Sequence, residues 1–466
     1  MDTLHNASLE QIDRDTVIHP FTPLKAFAEG ETPDPRLIET GKGVRIRDTH
    51  GRESIDAFAG LYCVNIGYGR TEVAEAIYEQ SKKLAYCHSY AMQGHEPGAL
   101  LAKKVLEWAP DHMRRVFFGL SGSDANETQA KFVWYYNNVL GRPEKKKIIA
   151  RRRGYHGCSI MSGSMTGMPF YHVAFDIPTG PIRHTTNPHH YWEAAPGMSE
   201  EEFSAQCAAD LEALILEEGP DTVGAFIAEP MLGTGGLIPA PEGYWRAIQP
   251  VLDKYDVLLI ADEVVCGFGR MGTPFGSDYY EMKPDLMTCA KGLTSAYLPL
   301  SAVIVGEKVW DVFKKGNDEY GVFSHGYTYT AHPTCAAAGL ANLKIIESEN
   351  LMANVRNVGG YFQERLRQTF ADKTFVGEVR GVNLLAAIEF VEDVKSKTRF
   401  DPTRKVGAQL SQACAKNGVI TRAMPHGDIL GFAPPLVATR DDVDEIIERI
   451  EGPIADVCSR LKAELN

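Results

Sequence analysis

Val257-Leu258-Leu259-Ile260-Ala261-Asp262-Glu263-Val264 and Asp285-Leu286-Met287-Thr288-Cys289-Ala290-Lys291-Gly292 decide how this chain reads. Each stretch is an apolar run of strand length that stops at one charged residue, Asp262 in the first and Lys291 in the second. Such runs, without polar alternation, fit strands buried on both faces. A carboxylate and an amine at the ends of buried strands are costly to desolvate unless something uses them. The pair by itself fits a structural ion pair at a sheet edge equally well.

Outward from that pair, short apolar runs alternate with helical stretches between about residues 70 and 330. Val116-Phe117-Phe118, Lys147-Ile148-Ile149-Ala150, Val223–Ala228, Leu258-Leu259-Ile260 and Ala302–Val305 read as strands. Helical spacing of apolar residues recurs over 71–86, 97–109, 124–140, 202–218 and 243–254. The alternation predicts an α/β fold with a mostly parallel sheet covered by helices on both faces. After Pro333 the pattern predicts one long helix to about 367, strands within 379–390, a helix over 403–417 and a terminal helix over 440–464. Near the N-terminus, Gly43–Asp48 and Ser54–Ala57 read as a hairpin. The expected organisation is a large domain over 66–333 and a smaller α+β domain over 334–466. Residues 1–65 form an N-terminal segment that joins the small domain and lids the site.

Bulk properties narrow the function. The chain has 466 residues, 44% of them hydrophobic, with a formal net charge of −13. An acidic chain is a poor partner for nucleic acid or an anionic membrane surface. The basic run Lys145-Lys146-Lys147 with Arg151-Arg152-Arg153 reads as the solvated ends of a short strand. No apolar run approaches the roughly 20 residues that span a bilayer. The nine cysteines are scattered, with no Cys-x-x-Cys pair, and read as buried reduced thiols of a cytoplasmic protein.

Several local motifs follow strands. Gly119-Leu120-Ser121-Gly122-Ser123-Asp124-Ala125-Asn126-Glu127 opens a helix. Its small residues and hydroxyls suit a phosphate at a helix N-terminus, although an ordinary helix cap explains it by itself. Gly154-Tyr155-His156-Gly157 places an aromatic between glycines, suited to stacking on a planar group or to a plain turn. Gly267-Phe268-Gly269-Arg270-Met271-Gly272 has the dinucleotide spacing, but Pro274 and Gly276 break any helix that would face a pyrophosphate. His325 and His332 lack acidic or cysteine partners at metal-ligand spacing, so no metal is expected. Arg422, ending Gly418-Val419-Ile420-Thr421-Arg422, suits a bidentate carboxylate clamp or a surface position.

One chemistry uses Asp262 and Lys291 together: pyridoxal 5′-phosphate, with the lysine as its Schiff-base partner and the carboxylate keeping the pyridine nitrogen protonated. Taken in order, the motifs resemble the class III aminotransferases, a branch of the fold-type I pyridoxal phosphate enzymes. Gly60–Gly69 looks like the N-terminal site loop, Ala228-Glu229-Pro230 the Glu-Pro motif, and Val379-Arg380-Gly381 the small-domain signature. The likeness is greatest to the amine- and ω-amino-acid:pyruvate group, the ω-transaminases.

The resemblance implies Lys291 and Asp262 as catalytic residues. It implies Ser121, Gly122, Ser123, Tyr155, His156, Glu229, Val264 and Thr328 around the cofactor, with Thr328 serving the partner subunit of a homodimer. It implies Phe21, Tyr62, Tyr155 and Arg422 around the substrates, an amine donor and pyruvate. Ornithine and 4-aminobutyrate enzymes of the family carry Glu-Pro-x-x-Gly-Glu-x-Gly, whose second glutamate pairs with the site arginine. Here Thr234 stands at that position, which fits pyruvate better than 2-oxoglutarate and leaves open how Arg422 is masked. An aminomutase, racemase or decarboxylase on the same cofactor, a 2-oxoglutarate-linked aminotransferase, and a non-catalytic binding protein are the alternatives.

Overall fold

The computed structural model describes residues 7–465. Seven strands form its central sheet, in the spatial order Met113–Gly119, Ser301–Gly306, Leu286–Cys289, Leu258–Asp262, Val223–Ala228, Lys147–Arg151 and Ile182–Thr185. Ser301–Gly306 runs antiparallel to both neighbours, and the other pairings are parallel. The reason lies in the connection. Residues 290–300 return from Cys289 with only a 3-10 turn, Lys291–Leu293, and no crossover helix, so the next strand must come back in the opposite sense. Ile182–Thr185 escaped the sequence reading because it is a short edge strand with three charged or polar residues in four.

Helices Thr71–Lys83, Glu96–Trp108, Gly122–Val139, Glu200–Glu218 and Tyr244–Lys254 occupy the stretches that helical spacing marks. The single helix expected from Pro333 to 367 is two, Pro333–Ser348 and Leu351–Phe370. Asn350 takes φ 52° between them, a left-handed conformation that asparagine tolerates and a continuous helix cannot contain. Beyond them, Val376–Val382, Leu385–Phe390, Ile429–Phe432 and Arg422–Ala423 form an antiparallel sheet. Near the N-terminus, Ile38–Lys42, Arg45–Asp48 and Glu53–Asp56 are antiparallel, and Val419–Ile420 adds parallel to the last. The first and last parts of the chain are therefore one hydrogen-bonded sheet.

The basic run is not a solvated strand end. Lys145, Arg151 and Arg153 are buried. Lys145 Nζ donates to the carbonyls of Pro220 and Tyr255, and Arg151 donates to that of Glu229. Arg153 donates to Gly235 O and to His189 Nδ1. These cations satisfy carbonyls at element ends that would otherwise be orphaned. Likewise the cysteines are not uniformly buried: Cys158 is exposed, and Cys63 and Cys87 are half-buried. A one-turn helix, Gly276–Tyr279, does follow the Gly267–Gly272 run, but the Glu263 carboxylate occupies its N-terminus, accepting from Gly276 N at 2.8 Å and Ser277 N at 2.6 Å.

A buried charge network ties the central sheet's loops to the C-terminal sheet. Arg380 Nη1 lies 2.7 Å from both Glu378 and Glu389, and His189 Nε2 lies 2.9 Å from Glu378. His189, Glu378 and Glu389 are clustered tightly enough for a metal, but the Arg380 guanidinium already supplies the cation between the two carboxylates. Burial would raise the Glu378 carboxyl, yet bonds and charge from His189 and Arg380 outweigh it and hold it down at about 2. A depressed carboxyl contributes stability above its unfolded value of 4.5 and loses it as pH falls toward 2. Urea unfolding from pH 5 to 2.5 should therefore lose stability more steeply in the native protein than in Glu378→Gln. Equal slopes would show that this carboxylate is not linked to folding.

Candidate active site

At the C-terminal ends of the parallel strands lies a cavity of about 240 Å³. It forms there because strand ends and the loops that follow them converge on one edge of the sheet. Asp262 closes the strand Leu258–Asp262 and is 2% exposed. Its Oδ2 accepts from Asn126 Nδ2 at 2.8 Å and His156 Nδ1 at 2.7 Å, and its Oδ1 from Val264 N at 3.1 Å. Asn126 is itself fixed: Nδ2 also donates to His156 O at 2.7 Å, and Oδ1 accepts from Thr288 Oγ1 at 2.8 Å. Three donors on a buried carboxylate replace the water it lost. Oδ1 has only the backbone donor, so it keeps capacity toward the cavity that Asp262 lines.

Lys291 lies two residues beyond its strand, not at the strand end as the apolar run suggests. It opens the 3-10 turn with φ 41°. Its side chain lines the cavity, and its amine has no hydrogen-bond or ion-pair partner among the described residues. Opposite, Ser121 caps the 18-residue helix Gly122–Val139 in a reciprocal box with Asp124. The Asp124 carboxylate takes the N–H groups of Leu120 and Ser121. The N–H groups of Gly122 and Ser123 remain, since a helix offers its first turn no internal acceptor. Gly122 sits tightly: a Cβ there would lie 3.0 Å from Val264 Cγ2.

Tyr155 and Val264 also line the cavity. The Glu229 carboxylate accepts from Tyr155 N at 3.1 Å and Gly233 N at 2.7 Å. Burial raises its pKa, and the nearby Asp262 charge adds to that. Ser121, Ser123 and His156 complete the lining among the residues expected from sequence. Asn126 was missed, because an amide inside a helix reads as a solvent-facing position.

Four expected residues lie off this cavity. Tyr62 is fully buried, and its hydroxyl has no partner. It ends a turn, Ala59 to Tyr62, in which all four residues have left-handed φ of 45–69°. Three of them carry a Cβ and pay about 1–2 kcal/mol each for that conformation. Strain of this kind gathers at functional sites. Phe21 is exposed and packs edge-on against Tyr171 at 5.5 Å, which meets Tyr155 at 5.5 Å. Arg422 is half-buried. Burial raises the hydroxyls of Tyr62, Tyr155 and Tyr171, and the Arg422 charge opposes that shift at all three. Thr328 is exposed on a loop where its carbonyl accepts from Tyr86 Oη at 2.7 Å.

The family model for class III aminotransferases matches residues 26–454. The chain belongs to the class III aminotransferases. A diaminobutyrate–2-oxoglutarate transaminase of Halomonas elongata is 57% identical over 99% of this chain and 98% of its own. A transaminase structure from directed evolution by ancestral reconstruction is 63% identical, covers 97% of this chain and 99% of its own, and superposes with a TM-score of 0.95. The ω-transaminase of Pseudomonas jessenii in complex with PMP is 40% identical over 97% of this chain and 99% of its own, with a TM-score of 0.94. Class III aminotransferases depend on pyridoxal phosphate. The residues present fit that cofactor: an unengaged amine, a buried carboxylate with spare accepting capacity and two free helix N–H groups surround one cavity.

Proposed function

We propose that this aminotransferase moves an amino group from a primary amine or ω-amino acid to pyruvate, in two half-reactions at one site. The observation that carries the reading is the state of Arg422. It approaches the tyrosines of the site with no carboxylate bonded to it among the described residues, and Thr234, buried, occupies the position of the family's arginine-pairing glutamate. A free guanidinium suits the carboxylate of a small keto acid.

Pyridoxal phosphate, when bound, supplies an electron sink for proton loss at the amine-bearing carbon and holds the amino group between half-reactions. The chain supplies the rest. Lys291 Nζ would anchor the cofactor and, once freed by the incoming amine, would carry the proton from the substrate carbon to the cofactor's C4′ in one half-reaction and in the reverse direction in the other. The Asp262 carboxylate would keep the proton on the pyridine nitrogen. Asn126 and His156 act through Asp262 by fixing its oxygens, and Glu229 acts through Tyr155 by fixing its backbone. Tyr155 and Val264 would cover the ring, while Ser121, Gly122 and Ser123 would hold the phosphate. Phe21, Tyr62 and Tyr155 border the donor. The nine thiols, none in a disulfide, suit the reducing cytoplasm.

A 2-oxoglutarate-linked reaction is the second reading, favoured by the name of the Halomonas elongata relative. Mixing the amine-loaded enzyme with each keto acid separates the two. Pyruvate should restore the cofactor absorbance at least about tenfold faster, and Arg422→Ala should cost the pyruvate step about 2–5 kcal/mol. A faster 2-oxoglutarate step would replace pyruvate as acceptor. An equal Arg422→Ala loss with a carboxylate-free amine would make the arginine structural.

Assembly follows from Thr328. Its loop carries the exposed Val322, Phe323 and Tyr329 and shares a cavity with the exposed Tyr90, an aromatic and apolar composition suited to an interface core. We read this face as the contact of a homodimer in which Thr328 reaches the neighbour's phosphate site. Lys291→Ala and Thr328→Ala subunits refolded together should then recover activity that neither has alone, because one hybrid site carries both lesions and the other none. Hybrids without recovery would place Thr328 in its own subunit's site.

A further inference from the structure

Arg422 has no ion-pair partner among the described residues, but it does have an aromatic one. Its Cζ lies 5.6 Å from the ring centroid of Phe58, within the range where a ring face attracts a cation. Phe58 is 2% exposed and packs on Tyr62 with centroids 4.4 Å apart. Its ring edge also meets Gly431 so closely that a Cβ there would come within 3.1 Å of Phe58 Cε2. Gly431 is the residue paired with Arg422 across the sheet. The ring is thus seated on the strand pair that carries the arginine.

The other side of Phe58 is fixed by Asp56, which is buried. Asp56 Oδ1 accepts from Phe58 N at 3.0 Å, and Oδ2 accepts from Gly60 N at 2.7 Å and Tyr68 Oη at 2.6 Å. These bonds hold the entry to the left-handed turn that ends at Tyr62.

We propose that Phe58 is a specificity-determining residue: its ring face is the uncharged partner of Arg422 whenever the bound substrate carries no carboxylate. The proposal rests on reading Arg422 as the carboxylate clamp. A site that takes a keto acid in one half-reaction and a simple amine in the other must leave its arginine satisfied in both. An ion pair inside the protein would compete with the acid at full charge. A ring face attracts the guanidinium more weakly, and a bidentate carboxylate displaces that contact readily. Asp56 is a positioning residue, since it touches the backbone of Phe58 and not the substrate.

The test compares kcat/KM for L-alanine and benzylamine in the holoenzyme. Phe58→Leu keeps the position apolar and removes the ring face, so benzylamine should lose about tenfold relative to alanine. Phe58→Tyr, which keeps the face, should retain the native ratio. In an Arg422→Ala background, Phe58→Leu should no longer change the ratio. If Phe58→Leu fails to give holoenzyme, Phe58→Met serves in its place. A native ratio in the Leu or Met variant, with Arg422→Ala still selective against alanine, overturns the role of Phe58 alone. An Arg422→Ala variant that loses both substrates equally overturns the clamp itself.

Discussion

The burial of the Asp262 carboxylate is the constraint around which the site is arranged. A carboxylate that is 2% exposed has lost its water, and an uncompensated charge there would cost several kcal/mol. Compensation comes from three parts of the chain: Asn126 on the helix after Met113–Gly119, His156 on the loop after Lys147–Arg151, and the backbone of Val264. The two side-chain donors are placed by supports of their own, Asn126 by Thr288 and His156 N by Thr166 Oγ1 at 3.0 Å. Four strand ends are thereby tied to one pair of oxygens. Shifting any of them would unbind the carboxylate, so the same bonds that satisfy the charge hold the cavity's shape.

A second theme is charge placed beside carbonyls and rings in preference to opposite charge. Arg151, Arg153 and Arg380 hold the backbone carbonyls of Glu229, Gly235 and Gly236. Through them the segment carrying Thr234 is pinned from both the central and the C-terminal sheets. Arg422 rests over Phe58. Only Arg380 of these is also paired with carboxylates. Arg422, whose charge acts on Tyr155 in the cavity lining, is the one left without a carbonyl or carboxylate among the described residues.

Much of the fold is visible in the sequence because burial on both faces writes uninterrupted apolar runs. Val223–Ala228 and Leu258–Asp262 are examples, and every residue in them is buried. The edge strand Ile182–Thr185 has no such constraint and no such run. The break at Asn350 is a single left-handed residue inside a helical pattern, which periodicity does not register. The charge run at 145–153 misleads because composition counts cations and says nothing of the carbonyls that satisfy them. Among the candidate site residues, those that line the cavity follow strands, where glycines and hydroxyls stand out in the sequence. Asn126 and Phe58 matter through contacts made at long range, and neither belongs to a spacing pattern.

The central claim is that Asp262 keeps the cofactor's pyridine nitrogen protonated. The most direct measurement is the ¹⁵N chemical shift of enzyme-bound pyridoxal phosphate labelled at that nitrogen, in the native protein and in Asp262→Asn. The account predicts a protonated shift in the native enzyme and a move toward the neutral pyridine value in the variant. A shift that is the same in both proteins would contradict it.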